Sequence, residues 1–432
     1  MNLILKNGRL FDPSRGLDQI GDVVLQDDRI RGLGPDIAAA GPGVVDCTGL
    51  IVTPGFIDLH VHLREPGFEY KETIETGTRA AAAGGFTAVC AMPNTQPVND
   101  NAGGTAFLLL RAREFGHARL YPIGAITEGS RGERLAALGA MRQAGAVGFS
   151  DDGRPVMNAQ MLRRALEYSS MFPVPVIEHA EDLHLSAGGS MHAGPRALQL
   201  GLRGISSTSE AAMVARDLLL AEEAGGHIHI AHLSTAASVR LVREAKSRGV
   251  LVTCEVTPHH FTLCDEDLVP YDANFKMNPP LRGAADREAL IAGLADGTID
   301  AIATDHAPHA AHEKLQEFDK APFGIIGLET ALPLSLRLVT EGRLSLARMV
   351  DALTCAPARI FHLPGGSLAP GALADLTVFD PAAEWTCDPA LSLSKSRNTP
   401  FAGWQLTGRP VYTIVGGRLI PNPALAATPP VS

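Results

Sequence analysis

GFIDLHVH (residues 55–62) is the stretch on which the fold turns. It is a short run rich in β-forming residues, opened by a glycine and closed by two histidines. Seven runs of similar texture follow it: FTAVCAM (86–92), RLYPIGAI (119–126), AVGFS (146–150), VPVIEHA (174–180), HIHIAH (227–232), VLVTCEV (250–256) and DAIATDH (300–306). The segments between them are rich in Ala, Leu, Glu and Arg at helical spacing, so the chain from Gly55 to about Leu363 alternates strand and helix. Eight parallel strands with intervening helices favour a closed (β/α)8 TIM barrel over an open doubly wound sheet.

Outside the barrel the texture changes. LILKNGRLFD (3–12), DVVLQDDRIRGLG (22–34) and GVVDCTGLIVTPG (43–55) read as short strands punctuated by turns, and GALADLTVFD (371–380) and RPVYTIVGGRLI (409–420) repeat that character. Neither flank is large enough to fold well alone. The two are therefore expected to pair into one composite β-sandwich domain, residues 1–53 with residues 366–432, beside a barrel spanning 54–365. NPALAATPPVS (422–432) reads as a loose tail.

The chain has 432 residues, 45% of them hydrophobic and 19% charged, a composition able to bury a large core. A formal net charge of −10 disfavours nucleic acid and anionic membrane as partners and leaves a small-molecule substrate. An anionic substrate would then need locally placed Arg or His, because the overall field repels it. Cys47, Cys90, Cys254, Cys264, Cys355 and Cys387 are scattered without a C-x-x-C pair, which suits reduced core thiols in a cytoplasmic protein. The apolar run in MNLILKNGRLFD is too short for a signal peptide, and none approaches the ~20 residues that span a bilayer.

Barrel chemistry gathers at the C-terminal ends of the strands. The eight runs end in or lead into His60/His62, Asn94, Thr127, Asp152, His179, His232, His259 and Asp305. His60 and His62 are two apart on a strand, so both imidazoles point the same way and one metal can take both. The sixth run carries three histidines. His232 shares strand parity with Ile228 and Ile230 and sits at the end, so it is the candidate ligand; His227 and His229 are expected to pack or hydrogen-bond against the helical layer. Asp305 can both bind a metal and exchange protons, or alternatively cap the next helix. Imidazole and carboxylate without thiolate suit Zn2+ in an open, catalytic site rather than a closed structural one. Four His and two Asp are enough for two metals.

Eight motifs resemble those of the dihydroorotase family, in its long bacterial form, within the amidohydrolase superfamily. They are PGFIDLHVHLREPG (54–67), AMPNTQPV (91–98), FSDDGRPV (149–156), EHAED (178–182), HIAHLST (229–235), NPPLR (278–282), ATDHAPH (303–309) and APFGIIGLET (321–330). The resemblance implies a hydrolase that interconverts L-dihydroorotate and N-carbamoyl-L-aspartate in pyrimidine (UMP) biosynthesis. It implies one metal on His60, His62 and Asp305, a second on His179 and His232, and Asp152 as the bridging carboxylate, with the adjacent Asp151 as competitor. Many superfamily members bridge their metals with a carboxylated lysine on the fourth strand; here that strand has none. The departure favours an aspartate bridge, disfavours a hydantoinase, and suggests that one metal binds more weakly.

The same resemblance places Arg64, Asn94, Asn278 and His309 against the substrate, with main-chain groups of Phe323 and Gly324. Arg64 would meet the substrate carboxylate with two parallel charge-assisted hydrogen bonds unless Glu65 or Glu69 occupies it. Asn94 and Asn278 offer a donor and an acceptor for ring amides, or else serve turns beside Pro93 and Pro279. Residues 306–327 form a long charged loop that would close over the ligand or simply cover the surface. Asp305 would carry the proton between attacking water and leaving nitrogen. Competing readings are another cyclic-amide hydrolase (dihydropyrimidinase, hydantoinase or allantoinase) and a non-catalytic partner of aspartate transcarbamoylase. A homodimer, with that transcarbamoylase as a further partner, is the expected assembly.

Overall fold

The computed structural model describes residues 2–35, 37 and 43–423; most of the tail expected at 422–432 lies outside them. Eight parallel strands lie within the eight runs: β1 (Phe56–Val61), β2 (Phe86–Ala91), β3 (Arg119–Gly124), β4 (Gly148–Ser150), β5 (Val176–Glu178), β6 (Ile228–Ile230), β7 (Val252–Val256) and β8 (Ala301–Ile302). They are hydrogen-bonded in chain order. Helices follow on the outside, among them Ile74–Ala83, Ser207–Ala224 and Ala236–Ser247. Both faces of each strand are buried, one against those helices and one inside the barrel, so the strands read as near-continuous apolar runs. Ile228 and Ile230 join the outer core with Val214, Leu218, Val239 and Val242, whereas Ile57, Leu59, Ile123, Ile177 and Ala301 belong to the inner one.

The ring closes between β1 and β8. The backbone contributes a bridge between Val61 and His306, with His62 N donating to His306 O at 2.8 Å. Below that bridge a side chain takes over: the buried Asp58 carboxylate accepts from Thr304 N (3.0 Å), Thr304 Oγ1 (2.6 Å) and His60 N (3.1 Å). Burial lifts this carboxyl to about 6, against the pull of those donors.

Both chain ends build one mixed eight-stranded sheet. Its path runs Arg418–Pro421, Gln405–Val415, Leu376–Thr386, Ile51–Pro54, Asn2–Asp12, Leu17–Gln26, Arg29–Gly34, with Gly43–Asp46 paired off Asn2–Asp12. Leu5, Leu10, Val23, Leu25, Val52, Leu376, Val378 and Ile414 form its core. Ile51–Pro54 runs directly into β1 through Gly55, where a Cβ would come within 2.1 Å of Thr87 Oγ1; only glycine lets the chain pass β2 so closely. All six cysteines are free and buried. Among the described residues no helix is long and apolar enough to cross a membrane.

Asp58→Asn would turn an amide donor toward groups that already donate. The expected cost is about 1–3 kcal/mol, read from the urea midpoint at unchanged m-value.

Candidate active site

Six side chains converge at the C-terminal mouth of the barrel. The metal-binding atoms of His60, Asp152 and His232 all lie within 4.8 Å of one another, as do those of His60, His62 and Asp305. His60 Nε2 is 3.4 Å from Asp152 Oδ1 and 3.5 Å from Asp305 Oδ1, and His62 Nε2 is 3.0 Å from Asp305 Oδ1. His179 Nδ1 stands 2.9 Å from His232 Nε2, with both 3.8 Å from Asp152 Oδ1. Asp152 thus lies between the two groups. Asp151 is turned away: its Oδ1 accepts from Ile126 N (2.9 Å) and Thr127 N (3.0 Å), docking the end of β3.

The local backbone explains how these rings face inward. An extra residue in β1 between Asp58 and Val61, relative to β2, resets parity so that His60 and His62 turn in after Leu59. On β6 the expected parity is wrong. Ile228 and Ile230 face the helices, and it is His229 that points into the barrel, 5.6 Å from the Phe361 ring. His232 reaches the mouth because its backbone flips to φ 31°. Arg64 (φ 62°) and Asp305 (φ 48°) are likewise left-handed, a conformation costing about 1–3 kcal/mol at non-glycine residues.

The donor set fits a cation. His60 Nε2 and Asp152 Oδ1 are buried without hydrogen-bond partners, a condition that a divalent ion would satisfy. Burial alone would raise both aspartates; His60 and His232 outweigh it at Asp152, and His60 and His62 at Asp305, so both stay ionised well below the usual range. Partners that the sequence reading missed hold the imidazoles from behind. Glu255 accepts from His60 Nδ1 at 2.8 Å and Glu181 lies 3.0 Å from His179 Nε2. The available signals were, for Glu255, an acidic residue inside the apolar run VLVTCEV and, for Glu181, its place in the motif EHAED.

The residues expected at the substrate line the same mouth. Asn94 Oδ1 is 2.9 Å from His62 Nδ1, and Asn278 Nδ2 donates to Glu181 at 2.8 Å, so both amides also brace the cluster. Arg64 has no carboxylate within ion-pair distance among the described residues. Its nearby candidates are taken, Glu65 by Arg111 (2.7 Å) and Glu69 by Gly67 N (2.9 Å). Its Nε donates instead to Pro308 O at 3.2 Å. His309 Nε2 donates to Phe323 O at 2.8 Å, and Gly324, at φ 126°, donates its N–H to Lys276 O at 2.9 Å. The 306–327 loop is tied down by Asn398, which accepts from His309 N (3.1 Å) and donates to Ala307 O (3.1 Å) and Gly324 O (3.0 Å).

The chain matches the family described as Dihydro-orotase-like over residues 49–238 and the Amidohydrolase family over residues 193–421. It is 54% identical over 420 residues to a dihydroorotase of Solibacter usitatus, covering 97% of this chain and 98% of that protein. A dihydroorotase of Anaeromyxobacter dehalogenans is 56% identical, covering 97% of each. Among solved structures, the L-hydantoinase (dihydropyrimidinase) of Arthrobacter aurescens superposes with a TM-score of 0.87 at 27% identity, covering 97% of this chain and 96% of that one. Fold is thus shared with hydantoinases and sequence with dihydroorotases. In β4, Gly148-Phe149-Ser150, there is no lysine, and Asp152 stands just beyond its end.

Burial, reinforced by Arg64, Lys71 and Lys314, pushes His309 down to about 2. The unfolded chain would bind a proton near 6.5 that the folded protein refuses, so this contribution is intact above pH 6.5 and lost as pH falls. His309→Asn should flatten the decline of Tm between about pH 6.5 and 4, measured by calorimetry.

Proposed function

Because the chain belongs to the dihydroorotase family of the amidohydrolases and is a cyclic-amide hydrolase, we propose that it interconverts L-dihydroorotate and N-carbamoyl-L-aspartate in pyrimidine biosynthesis. The observation that carries this reading is Arg64, a guanidinium without a carboxylate partner among the described residues, beside a buried His/Asp cluster. The two ends of a cyclic amide that bears its own carboxylate would meet those two features.

We assign one Zn2+ to His60, His62 and Asp305 and a second, weaker one to His179 and His232, with Asp152 between them. Bound there, the metal supplies Lewis-acid polarisation of the amide carbonyl and brings the pKa of water from about 15.7 toward 7. Arg64 fixes the substrate carboxylate, while Asn94, Asn278 and the main chain at Phe323 and Gly324 face the ring edges. Asp305 Oδ1 is engaged by His62, which leaves Oδ2 to take a proton from the attacking water and pass it to the departing ring nitrogen. In the biosynthetic direction the same oxygen returns the proton as the ring closes. We further propose a homodimer that can associate with aspartate transcarbamoylase; sedimentation velocity of the chain alone and mixed with that enzyme tests both.

Dialysis against a chelator should abolish dihydroorotate hydrolysis, and Zn2+ should restore it; full turnover by the metal-free protein refutes the metal assignment. Asp305→Asn should lower kcat by about 10²–10⁴-fold. Arg64→Gln should cost about 10- to 100-fold in kcat/KM for dihydroorotate while leaving any turnover of uncharged dihydrouracil unchanged. A wild type that prefers dihydrouracil, hydantoin or allantoin would make it another cyclic-amide hydrolase.

A further inference from the structure

Below the metal cluster the barrel interior is apolar, built from residues such as Ile57, Leu59, Cys90, Ile123, Ile177 and Ala301. One polar column interrupts it. His60 Nδ1 meets Glu255 Oε1 at 2.8 Å, Glu255 Oε2 meets His229 Nε2 at 3.1 Å, and His229 Nδ1 meets Thr253 Oγ1 at 2.8 Å. Thr253 Oγ1 in turn meets His227 Nε2 at 2.8 Å. Thr253 and His227 line a pocket of about 460 Å3 among the N-terminal ends of the strands, on the far side of the barrel from the cluster.

A histidine that binds a metal is neutral; with His60 in that state and His229 and His227 neutral as well, the proton positions in this column follow from the inventory of donors. An ionised carboxylate only accepts, so His60 Nδ1 and His229 Nε2 must both carry hydrogen. A neutral imidazole carries one proton, which leaves His229 Nδ1 as an acceptor and obliges Thr253 to donate to it. The threonine hydrogen is then used, so its lone pair receives His227 Nε2–H. Every donor points toward Glu255, and the end product is a bare lone pair on His60 Nε2, the buried atom that has no partner in the cluster. His227 remains neutral because burial drives it down to about 3.

We propose that Thr253 is a positioning residue: by holding the His229 ring it fixes the orientation of Glu255, which in turn sets the tautomer and orientation of His60, so metal affinity at one end of the barrel is set from the other. This inference rests on the assignment of His60 as a metal ligand. Thr253 touches neither the metal cluster nor the substrate pocket. Its replacement by the isosteric valine would leave His229 Nδ1 without a donor and free that ring to turn over, withdrawing the support of Glu255.

Zinc affinity measured by competition with a chromophoric chelator tests this on the full chain. The wild type should bind zinc, Thr253→Val should bind it about 10-fold more weakly, and Thr253→Ser, which keeps the hydroxyl, should return to within about twofold of the wild type. Equal affinity in wild type and Thr253→Val, with only the metal-free melting temperature lowered, would overturn the proposal and reduce Thr253 to a structural role. A wild type that binds no zinc would overturn the metal assignment and this inference with it. Should Thr253→Val fail to fold, Thr253→Ala removes the same hydroxyl in a smaller side chain; a loss of zinc affinity supports the proposal and an unchanged affinity overturns it.

Discussion

Water is largely excluded from the mouth of this barrel, yet the mouth holds Asp152, Asp305 and four imidazoles. A buried carboxylate must find compensating partners or give up its charge, and much of the surrounding structure can be understood as the means by which that condition is met. Inside the cluster the aspartates and histidines compensate one another. Behind it, Glu255, Glu181, Asn94 and Asn278 hold the outer nitrogens or brace the groups that do. Within it, His60 Nε2 and Asp152 Oδ1, 3.4 Å apart, are left without hydrogen-bond partners. Such a donor set suits a divalent cation.

Meeting that condition also distorts the chain. Arg64, His232 and Asp305 take left-handed backbone conformations where β1, β6 and β8 give way to loops, although none is glycine. A strand that simply continued would alternate its side chains in and out, and His232 would face the helices with Ile228 and Ile230. Rotating the backbone at the strand end redirects the imidazole at a local cost of about 1–3 kcal/mol, which the packed barrel sustains.

The barrel was legible because eight strand-like runs alternate with helical segments, and strand-end chemistry was legible because the fold sends it to one face. Which side of each strand faced inward was not. Barrel strands are buried on both sides, so no polar alternation marks the interior. This is why His229 was expected on the helical side and why Glu255 passed unread. Between Asp151 and Asp152 the resemblance favours Asp152 and leaves Asp151 as competitor; Ile126 N and Thr127 N, from a neighbouring strand end, hold Asp151 away from the cluster. The shared sheet of the two termini was anticipated from texture, but its strand order comes from pairings such as Val378 with Val52, far apart in the chain.

Asn398 lies beyond the barrel, yet it clasps the loop that presents His309 and Gly324, and the neighbouring Ser394 and Lys395 donate to Glu72 beside β1. During synthesis the chain leaves the ribosome from its N-terminus, so the eight strands and their ligands emerge before this clasp exists. The barrel can close around its His/Asp cluster while the 306–327 loop is still unanchored. Competence for catalysis would come late, with the arrival of a segment that contributes no ligand and no proton.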